Sequence, residues 1–411
     1  MIKKLTVCAL VCALGIVTAF GGNTVYAAAQ EDTEQGVAID ETNFPGPLFR
    51  QHVLNGYFNM WYDDGTMESI YYDANQDGYL SEAEVEKATY IGIEGTYIEN
   101  VKGIEYFTDL VELGAQRSSI KTIDLSKNVN LQYLNIYHAQ LVGTLDLSAN
   151  TKLDGLACQN NPNLTGLNVT NCVDLYNLNC SNTGISELDV SKNLALQSLT
   201  ISTSNITDID LSNNVNLKSL ECYGIDLEEL DVSNNTQLEY LDCSGTKLTG
   251  LDVSNNTNLY ALNVKNTPLA WLNLGNNSHL EVNMSDCTAS ATVIKGTFDI
   301  EKVFPGMDAD KITMISGAVL TGSEVSGYDF DTPVVYSYDC GMAGSESITL
   351  NVTLNLTEKI EEYPLKDADI SSDDESPKTD DAMDASVWMI GMAFLLTGLV
   401  GIATFRKRGN L

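Results

Sequence analysis

The sequence predicts a solenoid of short parallel strands, preceded by a helical cap and followed by a small β-sandwich. Three observations carry that prediction. LDVSNN occurs at Leu230 and again at Leu251, and related motifs start at Ile123, Leu145, Leu167, Leu188, Ile209 and Leu272, at steps of 21 or 22 residues. A constant step of this size marks a stack of coils, none of which can bury its leucines alone. A second register, LxxLx followed by Ile, Cys or Val, lies between the motifs, as in Leu131-Leu134-Ile136 and Leu238-Leu241-Cys243. After Cys287 the period stops, and segments such as ATVIKGTFDI and ESITLNVTLNL alternate apolar and polar residues between turns.

The chain opens with Lys3 and Lys4 before an apolar run that closes on small residues, with Val25-Tyr26-Ala27 as the cleavage point. Residues 1–29 are expected to be a signal peptide, which makes the protein an exported one. Removing Cys8 and Cys12 leaves seven of the nine cysteines, an odd number that does not describe a disulfide scaffold. The net charge of -34 excludes a nucleic-acid partner, which would need clustered Lys and Arg.

Residues 30–109 are expected to cap the first coil, with a helix at 45–58. Within them, DANQDGYLSEAE holds oxygen-bearing residues at the spacing of an EF-hand loop: Asp73, Asn75, Asp77, the Tyr79 carbonyl, Ser81 and a bidentate Glu84, with Gly78 at the sharp turn. Such a set suits Ca²⁺, which is the expected cofactor.

Residues 110–287 are the repeats. Each coil carries two strand-like segments in which Leu and Val or Cys share the inward face. An Asn follows each LDVS at a fixed place: Asn128, Asn150, Asn193, Asn214, Asn235, Asn256 and Asn277, with Cys172 in the third slot. An inward amide there can bond main-chain groups left unpaired at the bend. With GISELDVSKNLAL on the page (Ile185, Leu188, Val190, Asn193, Leu196), the chain resembles the leucine-rich repeat family over about 110–285. The cap segments IDETNFPGPLFRQHVLNGYF and VKGIEYFTDL resemble those of internalin-like surface proteins of Gram-positive bacteria. Which half-repeat lines the concave sheet stays open, because each departs from the family motif at one place.

Two outward columns follow from the alternation. Asp124, Asp146, Asn168, Asp189, Asp210, Asp231, Asp252 and Asn273 occupy the middle of the LDV triplets. Neighbouring carboxylates about 5 Å apart repel by ~0.8 kcal/mol in water, which hydrogen bonds to turn amides or a bound cation would offset. Tyr133, Tyr176, Tyr240 and Tyr260 lie between the paired leucines of the other segment, where they are candidates for stacking on a glycan or a protein partner.

Residues 288–357 read as the β-sandwich, similar to the immunoglobulin-like modules that follow internalin-type repeats. In 358–384 acidic residues outnumber Lys359, Lys366 and Lys378, which describes an extended linker. Its Ser376, Pro377, Lys378 and Thr379 resemble a sortase sorting signal, with Asp380 where Gly is usual. The uncharged stretch 385–405 is long enough to span a membrane, and 406–411 is a basic cytoplasmic tail. That order implies sortase and peptidoglycan as partners if the chain is cut after Thr379, and a permanent membrane anchor if it is not.

No catalytic constellation is visible. His52, His138 and His279 are scattered, and Cys340 reads as a core residue. The expected function is therefore binding at the cell surface: adhesion to a host or matrix protein, with glycan recognition or a ligand-free envelope role as alternatives.

Overall fold

The computed structural model describes residues 36–61 and 66–359. The signal segment 1–29, the linker from 360, the Ser376, Pro377, Lys378 and Thr379 motif, the 385–405 stretch and the 406–411 tail lie outside the described residues. Among the described residues no helix is long and apolar enough to cross a membrane.

Ten strands form one continuous sheet: Tyr90–Gly92, Glu112–Gly114, Tyr133–Asn135, Gly155–Ala157, Asn177–Asn179, Ser198–Thr200, Ser219–Glu221, Tyr240–Asp242, Ala261–Asn263 and Glu281–Asn283. All nine pairings are parallel and in register, so Leu134 faces Leu156, Leu178 faces Leu199 and Leu220 faces Leu241. The LxxLx half-repeat therefore builds the sheet, which settles the half left open by the sequence. The fold is a parallel β-solenoid, and its inward leucines belong to one core running from Ile39 to Leu356.

The sheet also begins earlier than the repeats do in the sequence. Leu110, Leu113 and Ala115 keep the LxxLx spacing with Ala in the third slot, and Ala88, Ile91 and Ile93 keep it with Ala in the first; all six are buried. Two coils thus lie within or next to the segment expected to be cap.

The LDV half-repeat pairs as strands in two places only among the described residues, Gly143–Asp146 with Leu164–Asn168 and Gly250–Asp252 with Trp271–Asn273. These are the two places where an Asn succeeds an Asp in the outward column. Asn168 Nδ2 donates to Asp146 at 2.9 Å, and Asn273 Nδ2 donates to Asp252 at 3.1 Å. Where Asp succeeds Asp, no such bridge draws the segments together, and like charges oppose one another.

Each bend is held by the buried Asn column. Asn193 Nδ2 donates to the carbonyls of Val169 and Cys172, at 3.0 and 2.7 Å, and Asn214, Asn235 and Asn256 repeat the pattern one coil at a time. Cys172 makes a single Sγ contact of 3.4 Å, to the Leu147 carbonyl.

The cap is mixed rather than purely helical. The helix runs Pro47–Asn55, with Pro at its start, and stops at Gly56, which is extended (φ -84, ψ 159). The alternation that follows, Tyr57 exposed and Phe58 buried, has the period of a strand, and Tyr57–Trp61 pairs with Met67–Tyr71 as an antiparallel hairpin. A second helix, Glu82–Lys87, leaves the acidic loop.

At the other end the β-rich region is joined to the last coil instead of starting after it. Gly275–Asn277 pairs in parallel with Val334–Ala343, which pairs antiparallel with Glu346–Glu358, while Cys287–Val293 adds in parallel to that strand. Tyr336 Oη donates to the Ala270 carbonyl at 2.9 Å, and the buried Trp271 lies so close over Gly250 that no side chain fits there. Thr297–Asp299, Val319–Thr321 and Glu324–Ser326 form a separate antiparallel sheet.

Candidate functional site

Among the described residues the ten-stranded sheet has the most strands, and its outward face is one continuous ordered surface. On its strands and within two residues of their ends it carries Glu94, Glu112, Asp154, Glu221, Glu239, Asp242 and Glu281 against Lys218 and Lys265. The face is therefore acidic. Glu221 and Asp242 are on neighbouring strands, and burial together with Asp242 raises the Glu221 carboxyl above its ordinary range. Asp242 is steadied by Ser244 Oγ at 2.6 Å and Asn263 Nδ2 at 2.9 Å.

The four tyrosines all lie on this face, but as two pairs. Tyr133 and Tyr240 occupy the position just before the central leucine, whereas Tyr176 and Tyr260 occupy the one before that. Tyr240 and Tyr260 are on neighbouring strands. Tyr133 and Tyr176 are one strand further apart, and the strands containing Ser198 and Ser219 separate the two pairs. Tyr133, Tyr176 and Tyr260 are exposed, at 39%, 42% and 53%, while Tyr240 is half-buried. Tyr133 Oη donates to Asp154 at 2.6 Å, which holds its phenol protonated above the ordinary range.

The aspartate column has a structural use. Asp124, Asp189, Asp210, Asp231 and Asp252 each accept from the main-chain N–H of the Ser two residues on, at 2.8–2.9 Å. Hydrogen bonds from those serines lower the carboxyls of Asp189, Asp210 and Asp231, through the hydroxyl first and the main-chain N–H second, and that of Asp124 through the N–H first.

The acidic cap loop adopts the turn its spacing requires. Asp73 accepts from the N–H groups of Asp77 and Gly78, both at 3.1 Å, and Asp77 accepts from Tyr79 at 2.8 Å. Asn75 Oδ1 accepts from Asp77 at 3.1 Å. Glu84 reaches back over the loop to Ala74 N–H at 2.7 Å and to both the N–H and hydroxyl of Ser81, at 2.9 and 2.8 Å. Gly78 takes the left-handed conformation, φ +79. Asp73 and Glu84 are 4% and 7% exposed, and burial, with Glu84 and Asp77 close by, raises the Asp73 carboxyl. Among the described residues no three His, Cys, Asp or Glu side chains already form a metal-holding group. The oxygens instead serve the loop's own amides. Their chemistry, hard oxygens around a turn with two buried carboxylates, is of the class that takes Ca²⁺.

The residues weighed for catalysis are apart. His52 packs on Tyr72 in the cap, with burial lowering its pKa; His138 has φ +52 in the turn after a strand; His279 follows the Asn column. Burial pushes the Cys340 thiol up to about 12, which favours its protonated form. All seven described cysteines are free and buried.

No family model and no curated protein matches this chain. Solved structures of Listeria monocytogenes internalins do. The functional domain of InlJ, described as including a cysteine ladder, aligns at 20% identity over 79% of this chain and 100% of its own, with a TM-score of 0.27. Internalin C2 aligns at 16% identity over 61% and 98%, with a TM-score of 0.43, and InlP at 18% over 78% and 99%, with a TM-score of 0.42. At those scores the fold stands on this chain's own strand register.

One cluster on the sheet face escaped the sequence reading. Tyr90, Glu94 and Gln116 surround Gly92 and Gly114 on the first two strands, and Glu112 lines the groove beside them. Their strands keep the LxxLx spacing with Ala88 in a leucine slot and Ala115 in the third slot, which is the signal that would have found them.

Proposed function

We propose that this chain is an exported surface protein that binds a protein partner across the outward face of its ten-stranded sheet. The observation that carries this reading is the combination of two tyrosine pairs with an excess of carboxylates on one ordered face. Tyrosine supplies large contact area at small entropic cost. The excess of acid favours a basic protein surface over a neutral glycan. Exposed rings at Tyr133, Tyr176 and Tyr260 also suit a sugar, and that is the second reading.

Ca²⁺ held by Asp73, Asn75, Asp77, Tyr79, Ser81 and Glu84 would neutralise the buried carboxylates and stiffen the cap. The SPKT motif before the apolar stretch supports attachment to peptidoglycan by a sortase. Mass spectrometry of the C-terminal peptide checks this: a mature end at Thr379 is expected, and an uncut 367–405 segment as the main species overturns it.

The partner reading is tested on arrays of matrix and host-surface proteins and of glycans, probed with the full-length protein and with Tyr133→Ala/Tyr176→Ala/Tyr240→Ala/Tyr260→Ala. A protein ligand bound by the natural chain and lost in the variant, at equal melting temperature, is the expected result. A glycan ligand lost in the variant would replace the first reading by the second, and ligands kept by the variant would overturn both.

A further inference from the structure

We propose that the groove between the cap hairpin and the first two strands of the sheet is a subsite for a cationic side chain, an arginine or lysine presented by the protein partner. The inference rests on the reading of the sheet face as a partner surface, and it names the chemistry of one contact.

The groove is about 690 Å³, walled by Tyr57 and Phe58 from the hairpin and floored by Tyr90, Glu94 and Glu112. Gly92 lines it, and the buried Gly114 lies beside Gly92 on the next strand. A methyl group placed on Gly114 would lie 3.0 Å from the Tyr90 hydroxyl and 3.5 Å from both Glu94 Oε2 and Gln116 Oε1. Three oxygens therefore converge above one point of the backbone. Gln116 Oε1 is buried and accepts no hydrogen bond. The Tyr90 hydroxyl spends its proton on Glu94 Oε1 at 3.1 Å, leaving Glu94 Oε2 turned to the same point. Among the described residues neither Glu94 nor Glu112 is in an ion pair. Repulsion from Glu94 adds to burial in raising both the Glu112 carboxyl and the Tyr90 phenol, the latter to about 12.

A site whose charges are two carboxylates, beside aromatic rings and with Asn59 and Thr89 as its other polar lining, is complementary to a group with several N–H donors and positive charge. Aromatic faces add cation–π attraction, which strengthens as the cation sheds water. Guanidinium satisfies these demands best because its planar fork reaches more than one acceptor at once. The groove is continuous with the sheet face through Glu112, which faces Tyr133 on the next strand.

The test titrates fluorescein-labelled tetra-arginine into the full-length protein by anisotropy, with uncharged tetra-citrulline as the reference. Expected are binding that falls about tenfold or more in both Glu94→Gln and Glu112→Gln, a change within about twofold in Glu221→Gln/Asp242→Asn, and no binding of tetra-citrulline. The Glu221/Asp242 variant removes two charges, twice as many as either single variant, from the far half of the same face. An equal loss there would overturn the subsite, leaving only the general attraction of an acidic chain for cations. Absent tetra-arginine binding, or binding indifferent to both glutamates, would overturn it too. The two readings fail separately. Tetra-arginine bound at the groove by a chain that captures no protein sinks only the partner reading, whereas a captured protein indifferent to Glu94→Gln and Glu112→Gln sinks only the subsite.

Discussion

Asn214 Nδ2 donates to the main-chain carbonyl of Asn193 at 3.0 Å, so each ladder amide is tied to the backbone of the ladder residue one coil before it. Its other proton goes to the Val190 carbonyl at 3.1 Å. The Oδ1 atoms of Asn128, Asn150, Asn193, Asn214, Asn235 and Asn256 are buried without a hydrogen-bond partner. The amide thus works through its two N–H groups, both of which bond carbonyls of the coil before it.

The ladder predicts an order of costs. Asn214→Ala removes both side-chain bonds, leaving the Val190 and Asn193 carbonyls only the N–H groups of Asn193 and Leu196, and opens a buried void, so it should lose about 2–4 kcal/mol in urea unfolding. Asn214→Asp should cost more, because it sets acceptors against acceptors, and the extra cost should shrink in acid as the carboxyl regains a proton. Cys172→Asn should gain about 1 kcal/mol by restoring the missing bonds. A ladder that tolerates Asn214→Asp as well as Ala at pH 7 would contradict the donor-only role.

A second column runs through the bends after the sheet strands. Arg117, His138, Asn160, Asn182, Thr203, Gly224, Gly245 and Asn266 all have φ between +51 and +66. Gly and Asn accept this conformation readily, and a β-branched residue does not. Thr203→Gly should therefore stabilise the solenoid by roughly 0.5–1 kcal/mol, and Gly224→Thr should destabilise it by about 1–2 kcal/mol. Differential scanning calorimetry reads both signs, and a lower melting temperature for Thr203→Gly would refute the strain.

Much of this architecture was legible in the sequence because the coil repeats its inward residues. The 21-residue step, the leucine positions and the Asn column needed only counting. What counting could not decide was which half-repeat forms the sheet, since both alternate equally well. That outcome depends on side chains outside the core. In the LDV half, Asp189 Oδ1 captures the Ser191 N–H and bends the chain, and strands survive only where Asn168 or Asn273 bridges to the preceding Asp. The candidate tyrosines were visible singly, but their division into two pairs follows from strand order. The Tyr90 and Glu112 coils were missed because Ala88 and Ala115 replace the larger apolar residues that mark the other coils.

The thiols of the solenoid should be inert while it is folded. Cys158, Cys180, Cys222 and Cys243 share an inward column with Ile136, Ile201 and Val264 and are fully buried. Burial pushes Cys180 and Cys243 up to about 12. Ellman's reagent at pH 8 should leave all four unmodified until denaturant is added. Cys222→Val should cost less than about 1.5 kcal/mol, as near-isosteric core changes do, against the ~2–5 kcal/mol of a lost native disulfide. Rapid labelling of Cys222 in the folded chain would count against its burial.

The cap loop and the solenoid should respond to acid in opposite senses. The lowered carboxyls of Asp189, Asp210 and Asp231 contribute stability that is present above their unfolded pKa of 3.8 and lost as pH falls through the lower folded value. Asp73 is raised, so its charged form strains the loop: stability there is full below 3.8 and declines as pH rises through the higher folded value. At neutral pH the loop is thus under electrostatic stress that a divalent cation would relieve. Added Ca²⁺ at pH 7 should slow hydrogen exchange at the amides of Ala74, Asp77 and Gly78, and at 100 times its dissociation constant it should add about 2.7 kcal/mol to the cap. Glu84→Gln removes one of the two buried carboxylates and leaves a single acceptor oxygen for the bonds to Ala74 and Ser81, so the expected result is loss of the Ca²⁺-dependent slowing, measured against the variant's own exchange in chelator. Exchange at 74–78 that is the same in Ca²⁺ and in chelator would remove the metal from the cap, and the two buried acids would then be a purely structural turn.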